Sequence, residues 1–181
     1  VIGSGNVATH LATAVEGVVQ ICSPNLANAA TLAEKVGCDA TNSPSGLADA
    51  DIYITNRENT VWLMEHYHYQ PPFDMLVLDE SSAFTNPQAK RFKALRKCRS
   101  CFSRMILLTG TPSPNNLMDL WAQLYLLDGG ERLGRTLTAY RHNYFKPDKT
   151  NGPIVYSYKI LGPNAEKEIY RRIGDICLSM N

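Results

Sequence analysis

Met75-Leu76-Val77-Leu78-Asp79-Glu80-Ser81-Ser82 is the stretch that decides the fold. Its first half is an unbroken apolar run between Asp74 and Asp79, the composition of a strand buried on both faces of a parallel sheet. Two acids follow at once. Carboxylates at the C-terminal end of such a strand can hold a magnesium ion and orient the water that attacks a phosphoryl group, which makes Asp79 the candidate metal ligand and Asp79 and Glu80 the candidate catalytic pair. About thirty residues on, Leu107-Leu108-Thr109-Gly110-Thr111-Pro112 closes a second buried-strand pattern that begins at Arg104. The hydroxyls of Thr109 and Thr111 are placed to sense the state of the acids. Strands alternating with helices predict an α/β domain of three layers around a mainly parallel sheet.

Working outward, Gln88 to Lys97 reads as a basic amphipathic helix. Lys90, Lys93 and Lys97 stand at helical spacing, with Arg91, Arg96 and Arg99 completing one basic face that can follow a phosphate backbone or stay solvated. Upstream, Asp51 to Thr55 reads as a strand leading into Ile54-Thr55-Asn56-Arg57-Glu58, Asn59 to Tyr67 as a short helix, and Pro71-Pro72 as a break. Downstream, Asn115-Asn116-Leu117-Met118-Asp119-Leu120-Trp121 opens a helix that runs to about Leu127. Arg141 to Tyr158 reads as a polar and aromatic loop leading to a strand at Ile154 to Ile160, and Ala165 to Ile173 as a closing helix. Trp62 and Trp121 are expected to pack as core anchors.

The first fifty residues differ, being rich in Ala, Val and Gly and poor in charge. Val1-Ile2 reads as a strand end, Asn6 to Glu16 as a helix and Val18 to Cys22 as a strand. Asn25 to Val36 reads as a second helix with Leu26, Ala29, Leu32 and Ala33 on one face and Gly37 as its stop. Gly3-Ser4-Gly5-Asn6-Val7-Ala8 fits a dinucleotide-binding turn. Gly3 permits the tight turn, Gly5 lets backbone approach a pyrophosphate, and Ala8 fills the close-packing position. The same residues also suit a tight strand-to-helix turn with no ligand. Ser23-Pro24-Asn25 supplies neither an acid for an NAD ribose nor an arginine for a 2′-phosphate, so Ser23 could accept NADP only weakly.

Taken together, the acidic pair, the Thr-Gly-Thr-Pro segment and the flanking Asn56-Arg57-Glu58 and Asn115-Asn116 stretches resemble the Swi/Snf branch of superfamily-two helicases, particularly short phage-type members, from about Asp51 to Asn181. The resemblance implies part of a first, RecA-like motor lobe, with magnesium and ATP as cofactors and DNA as partner. It implies that Asp79 and Glu80 serve ATP hydrolysis, that Thr109, Gly110 and Thr111 couple hydrolysis to lobe movement, and that Asn56 and Glu58 lie near the nucleic-acid track. Val1 to roughly Ile54 resembles Rossmann-type reductases related to the pyrroline-carboxylate reductase and ketol-acid groups. The expectation is therefore a hybrid: a partial Rossmann-like segment over 1–50 and a partial helicase lobe over 51–181, joined between Ala48 and Ile54. A gene fusion, a recombination product, an assembly artefact and a deliberate chimera would each produce such a join. No Gly-Lys-Ser/Thr stretch occurs in the sequence, and the resemblance leaves the second motor lobe with its arginine finger beyond Asn181. The reading is a helicase or translocase fragment without turnover of its own, with an NAD(P)-binding module or an inert hybrid as alternatives.

Composition bounds these readings. Among 181 residues, 18 Lys and Arg nearly balance 17 Asp and Glu, so no large basic field gathers nucleic acid and any DNA contact must be local, weak and salt-sensitive. Five cysteines without a regular framework predict a reduced, cytosolic protein. Cys98 and Cys101 have metal-like spacing, but no second pair completes a zinc site, and His66 and His68 read as a polar loop. No run approaches the roughly 20 apolar residues of a membrane span. A chain opening on Val1 inside a strand pattern predicts a fragment.

Overall fold

Two helix signals near the start of the chain act as their chemistry requires. Asn25 sits in extended backbone, and its side-chain oxygen accepts the amides of Ala27 at 3.0 Å and Asn28 at 3.4 Å, capping α1 (Leu26–Val36). Gly37 ends that helix in the left-handed region at φ 72°, its N–H donating to the Ala33 carbonyl at 2.8 Å. The computed structural model describes residues 13–14, 16–23, 25–47, 50–55 and 57–178, and the chain divides into two compact units, Val1–Pro72 and Phe73–Asn181. The division expected at residues 50–51 lies within the first unit.

In the first unit β1 (Gln20–Cys22) pairs in parallel with β2 (Asp39–Thr41), Ile21 opposite Ala40, and α1 connects them. Ala29, Leu32 and Ala33 of α1 are buried with Ile21, and Val18, Val36, Cys38, Ala40 and Ile54 pack against this cluster. Leu26, expected on the same face, stays 47% exposed in the first turn of the helix. The strand expected over Asp51 to Thr55 is reduced to a single bridge residue, Ile54. Ile54 packs against the Ile21 cluster and Tyr53 is half-buried, whereas Ile52 faces solvent, so little burial supports a longer strand there. A one-turn 3-10 helix, Arg57–Asn59, then leads into α2 (Thr60–His66), which buries Thr60 and Met64.

The second unit is α/β as well. β3 (Met75–Leu78) pairs in parallel with β4 (Arg104–Leu107), Val77 opposite Ile106, and α3 (Lys90–Cys98) lies between them in the chain. The expected burial of β3 on both faces does not hold: Met75 and Val77 remain 48% and 49% exposed, and Ile106 across the register is also exposed. Two-sided burial needs cover on both faces, and among the described residues this two-stranded sheet is covered on one. Three further helices follow: α4 (Leu120–Asp128), α5 (Leu137–Tyr144) and α6 (Pro163–Ile173). α4 buries Leu120, Trp121, Ala122, Gln123, Leu124 and Leu126, so it has no broad solvent face and forms the axis of the unit. Phe92 of α3 meets Trp121 and Tyr125, each at 6.2 Å between ring centroids.

The expected loop over Arg141 to Tyr158 is instead the end of α5 followed by an antiparallel hairpin of β5 (Phe145–Asn151) and β6 (Ile154–Ile160). β5 carries no alternating apolar pattern, since every residue after Phe145 is exposed. It is held by main-chain pairing and by the Lys159–Asp148 ion pair at 2.9 Å, neither of which periodicity reveals.

Glycine is required to different degrees at two helix ends. A Cβ at Gly37 would meet open space, whereas one at Gly130, φ +88°, would lie 2.6 Å from the Gly134 carbonyl oxygen and 2.7 Å from the Arg135 Cα. Gly37→Ala is expected to cost about 1 kcal/mol from left-handed backbone alone. Gly130→Ala should cost at least about 1 kcal/mol more, because backbone must move. Urea unfolding of the two variants checks this, and equal midpoint shifts would contradict it.

Candidate functional site

β3 ends at Leu78, and the acids occupy the turn that follows. Glu80 adopts φ 52° and ψ 51°, a left-handed conformation that costs a non-glycine residue about 1–2 kcal/mol. Asp79 and Glu80 are both exposed, and Asp79 Oδ1 accepts the Glu80 amide at 3.0 Å. Ser81 then opens a 3-10 turn, Ser81–Phe84. Its amide donates to the Leu108 carbonyl at 2.9 Å, while the Leu108 amide donates to the Leu78 carbonyl at 2.9 Å. These two bonds extend the β3–β4 pairing past both strands and stitch the acid turn to the start of Thr109-Gly110-Thr111-Pro112.

Thr109 Oγ1 accepts the Thr111 amide at 3.1 Å, and among the described residues no hydrogen bond joins Thr109 or Thr111 to Asp79 or Glu80. The link runs through Gln123 instead. Ser81 Oγ donates to Gln123 Oε1 at 2.7 Å, and Gln123 Nε2 donates to the carbonyls of Pro112 at 2.5 Å and Asp119 at 3.2 Å. Ser81 is 1% exposed and Gln123 3%. Sequence reading passed over this residue, although a lone amide inside the apolar run Leu120-Trp121-Ala122-Gln123-Leu124 was a signal that it needed a buried partner. Asn116, in the expected helix opening, caps it by accepting the Met118 amide at 2.8 Å.

The basic helix separates by residue type. Lys90, Lys93 and Lys97 are exposed on α3. The arginines turn to protein: Arg91 lies 5.8 Å from the centre of the Phe84 ring, Arg96 lies 5.6 Å from that of Tyr125, and Arg99 donates to the Leu126 and Leu127 carbonyls at the end of α4. In the first unit Glu58 pairs with Arg57 at 3.1 Å, both exposed. Ser23 is buried, its Oγ accepting the Asn25 amide at 3.3 Å and its amide donating to Thr41, so its polar atoms serve the start of α1. Gly3, Gly5, Asn6, Val7, Ala8 and Asn56 lie outside the described residues. A cleft of about 310 Å³ in the second unit is lined by Asn86, Asn115, Met118, Asp119, Trp121 and Arg141 among others, and its lining includes neither Asp79 nor Glu80.

No group of three or more His, Cys, Asp or Glu side chains among the described residues is arranged to hold a metal. All five cysteines are in the thiol form. Cys98 is fully buried and donates to the Ala94 and Leu95 carbonyls of its own helix, and burial pushes its thiol up to about 11.

Comparison with known proteins places this geometry. The family model of the SNF2-related domain matches residues 17–177. Protein p41 of Acyrthosiphon pisum secondary endosymbiont phage 1 is 36% identical over 137 residues, covering 73% of this chain and 30% of that protein. Helicase SWR1 of Mycosarcoma maydis is 43% identical over 63 residues, 35% of this chain and 3% of that protein. The chromatin-remodeling ATPase INO80 of Gibberella zeae is 39% identical over 61 residues, 34% and 3% respectively. The chain thus spans less than a third of the length of these relatives. A solved structure, the Sulfolobus solfataricus SWI2/SNF2 ATPase core in complex with dsDNA, superposes with a TM-score of 0.58 at 23% identity, over 95% of this chain and 36% of that one. The likeness shows the fold, an α/β lobe of the ATPase-core type with parallel sheets. The family match begins at residue 17 and includes both the join expected at 48–54 and most of the stretch that resembles reductases.

A thiol whose pKa lies near 11 is protonated at pH 8 and reacts slowly, because the thiolate is the nucleophile. Alkylation of the native chain at pH 8 followed by peptide mass mapping is expected to leave Cys98 unmodified until denaturant is added. Labelling of Cys98 at the rate of Cys177, which is exposed, would show that the helix does not bury it.

Proposed function

Because the chain belongs to the SNF2-related family, we propose that its second unit carries the hydrolytic edge of a DNA-dependent ATPase motor lobe. The observation that supports this most is the stitched turn: two carboxylates at the end of a parallel strand, fixed through Ser81 to the segment Thr109 to Pro112. Asp79 keeps one carboxylate oxygen on the Glu80 amide and offers the other to a divalent ion. Magnesium suits a donor set of one or two carboxylates completed by water and phosphate oxygens, and it would neutralise charge on the transferring phosphoryl group. Glu80, held in its left-handed turn, orients the attacking water. Thr109, Gly110 and Thr111 follow the movement of that turn and carry it onward, while for Asn56 and Glu58 a role in nucleic-acid contact rests on the family resemblance alone.

The charge of the substrate limits what these residues do alone. A triphosphate needs a backbone cradle and a lysine, and the sequence contains no Gly-Lys-Ser/Thr stretch to provide them. The Rossmann-type alternative gains no support from the fold or from the relatives. No helix among the described residues is long and apolar enough to cross a membrane.

Two measurements test this reading. Steady-state phosphate release by this chain is expected to stay at background with or without DNA, and turnover that disappears in Glu80→Gln would show that the missing cradle is dispensable. DNA binding is expected to persist weakly through Lys90, Lys93 and Lys97, with a log-log salt slope of roughly −3, since each neutralised phosphate releases about 0.9 counterion. Fluorescence anisotropy across salt concentrations reads that slope. No change on replacing the three lysines with alanine would remove α3 from the interface.

A further inference from the structure

The acid turn carries a conformational cost that its own residues do not offset. Glu80 has a Cβ and still sits at φ 52°, and left-handed backbone at a non-glycine residue persists only where the surroundings over-determine it. Asp79 contributes one side-chain bond to the Glu80 amide from the exposed side of the turn. The buried side is held at the next residue, whose amide is fixed by Leu108 and whose hydroxyl is fixed by Gln123.

We infer that Gln123 is the positioning residue of the site: by gripping Ser81 Oγ and the Pro112 carbonyl with the two ends of one amide, it sets the Glu80 backbone and ties it to the Thr109–Pro112 segment. A side-chain amide suits this task because its oxygen and nitrogen face opposite requirements, a hydroxyl donor on Ser81 and carbonyl acceptors on Pro112 and Asp119. Leucine or methionine would fill the same volume and satisfy neither. Burial makes the arrangement selective, since each partner left without a bond would be a desolvated polar group. The third contact, to Asp119 at the start of α4, places the grip on the central helix of the unit. Movement of the acid turn therefore reaches α4 and Pro112 together through one amide.

The functional meaning rests on the reading of Glu80 as the water-orienting carboxylate, but the test needs no nucleotide, so the two fail separately. In the isotopically labelled chain, positive φ at Glu80 gives a strong intraresidue amide-to-α-proton Overhauser effect, and the bond to Leu108 protects the Ser81 amide from exchange. Gln123→Met is expected to weaken the Glu80 signal to that of ordinary backbone and to lower Ser81 amide protection by about tenfold, the effect of leaving one buried group unpaired. Protection within the β5–β6 hairpin should not change. Ser81→Ala should produce the same change at Glu80, and carries the test if Gln123→Met does not fold. Gln123→Glu keeps acceptor oxygens for Ser81 and should retain the Glu80 signal while loosening Pro112. A Glu80 signal unaltered in both Gln123→Met and Ser81→Ala would overturn the inference, as would equal loss of protection in the hairpin, which would make Gln123 a stabiliser of the whole unit.

Discussion

The second unit depends on a helix that has almost no solvent face. Six of the nine residues of α4 are buried, and a helix enclosed in this way must have every polar group it carries satisfied from within the protein. Its neighbours are arranged accordingly. Asn116 accepts the Met118 amide in the 3-10 turn, Leu117–Asp119, that leads into it, Arg99 reaches from just beyond α3 to the Leu126 and Leu127 carbonyls at its end, and Gly129 closes it in the left-handed region. Trp121 Nε1 donates to the Gly134 carbonyl at 2.9 Å, and the Tyr140 hydroxyl donates to the Leu117 carbonyl at 2.8 Å. Gln123 is the side-chain amide carried by α4 itself, and the partners it finds are the two segments that carry the site. The coupling of acids to the Thr-Gly-Thr-Pro segment thus follows from the need to satisfy a buried amide.

The same constraint explains why the basic helix is divided. Arginine is weakly hydrated and lays its planar head over aromatic rings at modest cost, whereas an ammonium group holds its water tightly. Arg91 on α3 and Arg99 just beyond it accordingly turn toward Phe84 and the carbonyls of α4, Arg96 lies over Tyr125 while staying exposed, and the three lysines are exposed as well. Part of the positive charge that sequence places on this face, at Arg91 and Arg99, is therefore structural. With a formal net charge of +1 over the chain, no distributed field compensates for it, so the phosphate-binding reading rests on the exposed lysines and Arg96.

Sequence was most informative where the determining interaction is local. β3 and the stop of α1 at Gly37 follow from short-range composition and backbone preference, and the structure has them where those rules place them. The acid pair and the Thr-Gly-Thr-Pro segment were legible because each directly follows a strand. What was missed depends on partners distant in the chain. Ser81 and Gln123 are 42 positions apart, β5 is held by main-chain pairing that leaves no apolar period, and the exposed face of Met75 and Val77 depends on how many layers cover the sheet. The Asp51 to Thr55 strand fails for a related reason: its composition suits a strand, but Asp51, Ile52 and Thr55 stay exposed.

Magnitudes indicate how finely the acid turn is balanced. Along a strand successive side chains alternate between faces, so two adjacent acids can serve one phosphate only if the chain leaves extended geometry between them. Glu80 does so in the left-handed region, at a cost of about 1–2 kcal/mol for a residue with a Cβ. A buried hydrogen bond contributes about 1 kcal/mol net, so the two bonds anchored at Ser81, amide to Leu108 and hydroxyl to Gln123, are of the size needed to offset that strain, without a large surplus. A turn held by a small margin responds to small changes. New contacts at the exposed carboxylates would shift the balance at Glu80, and the shift would pass to Pro112 and α4 because the same amide restrains all three.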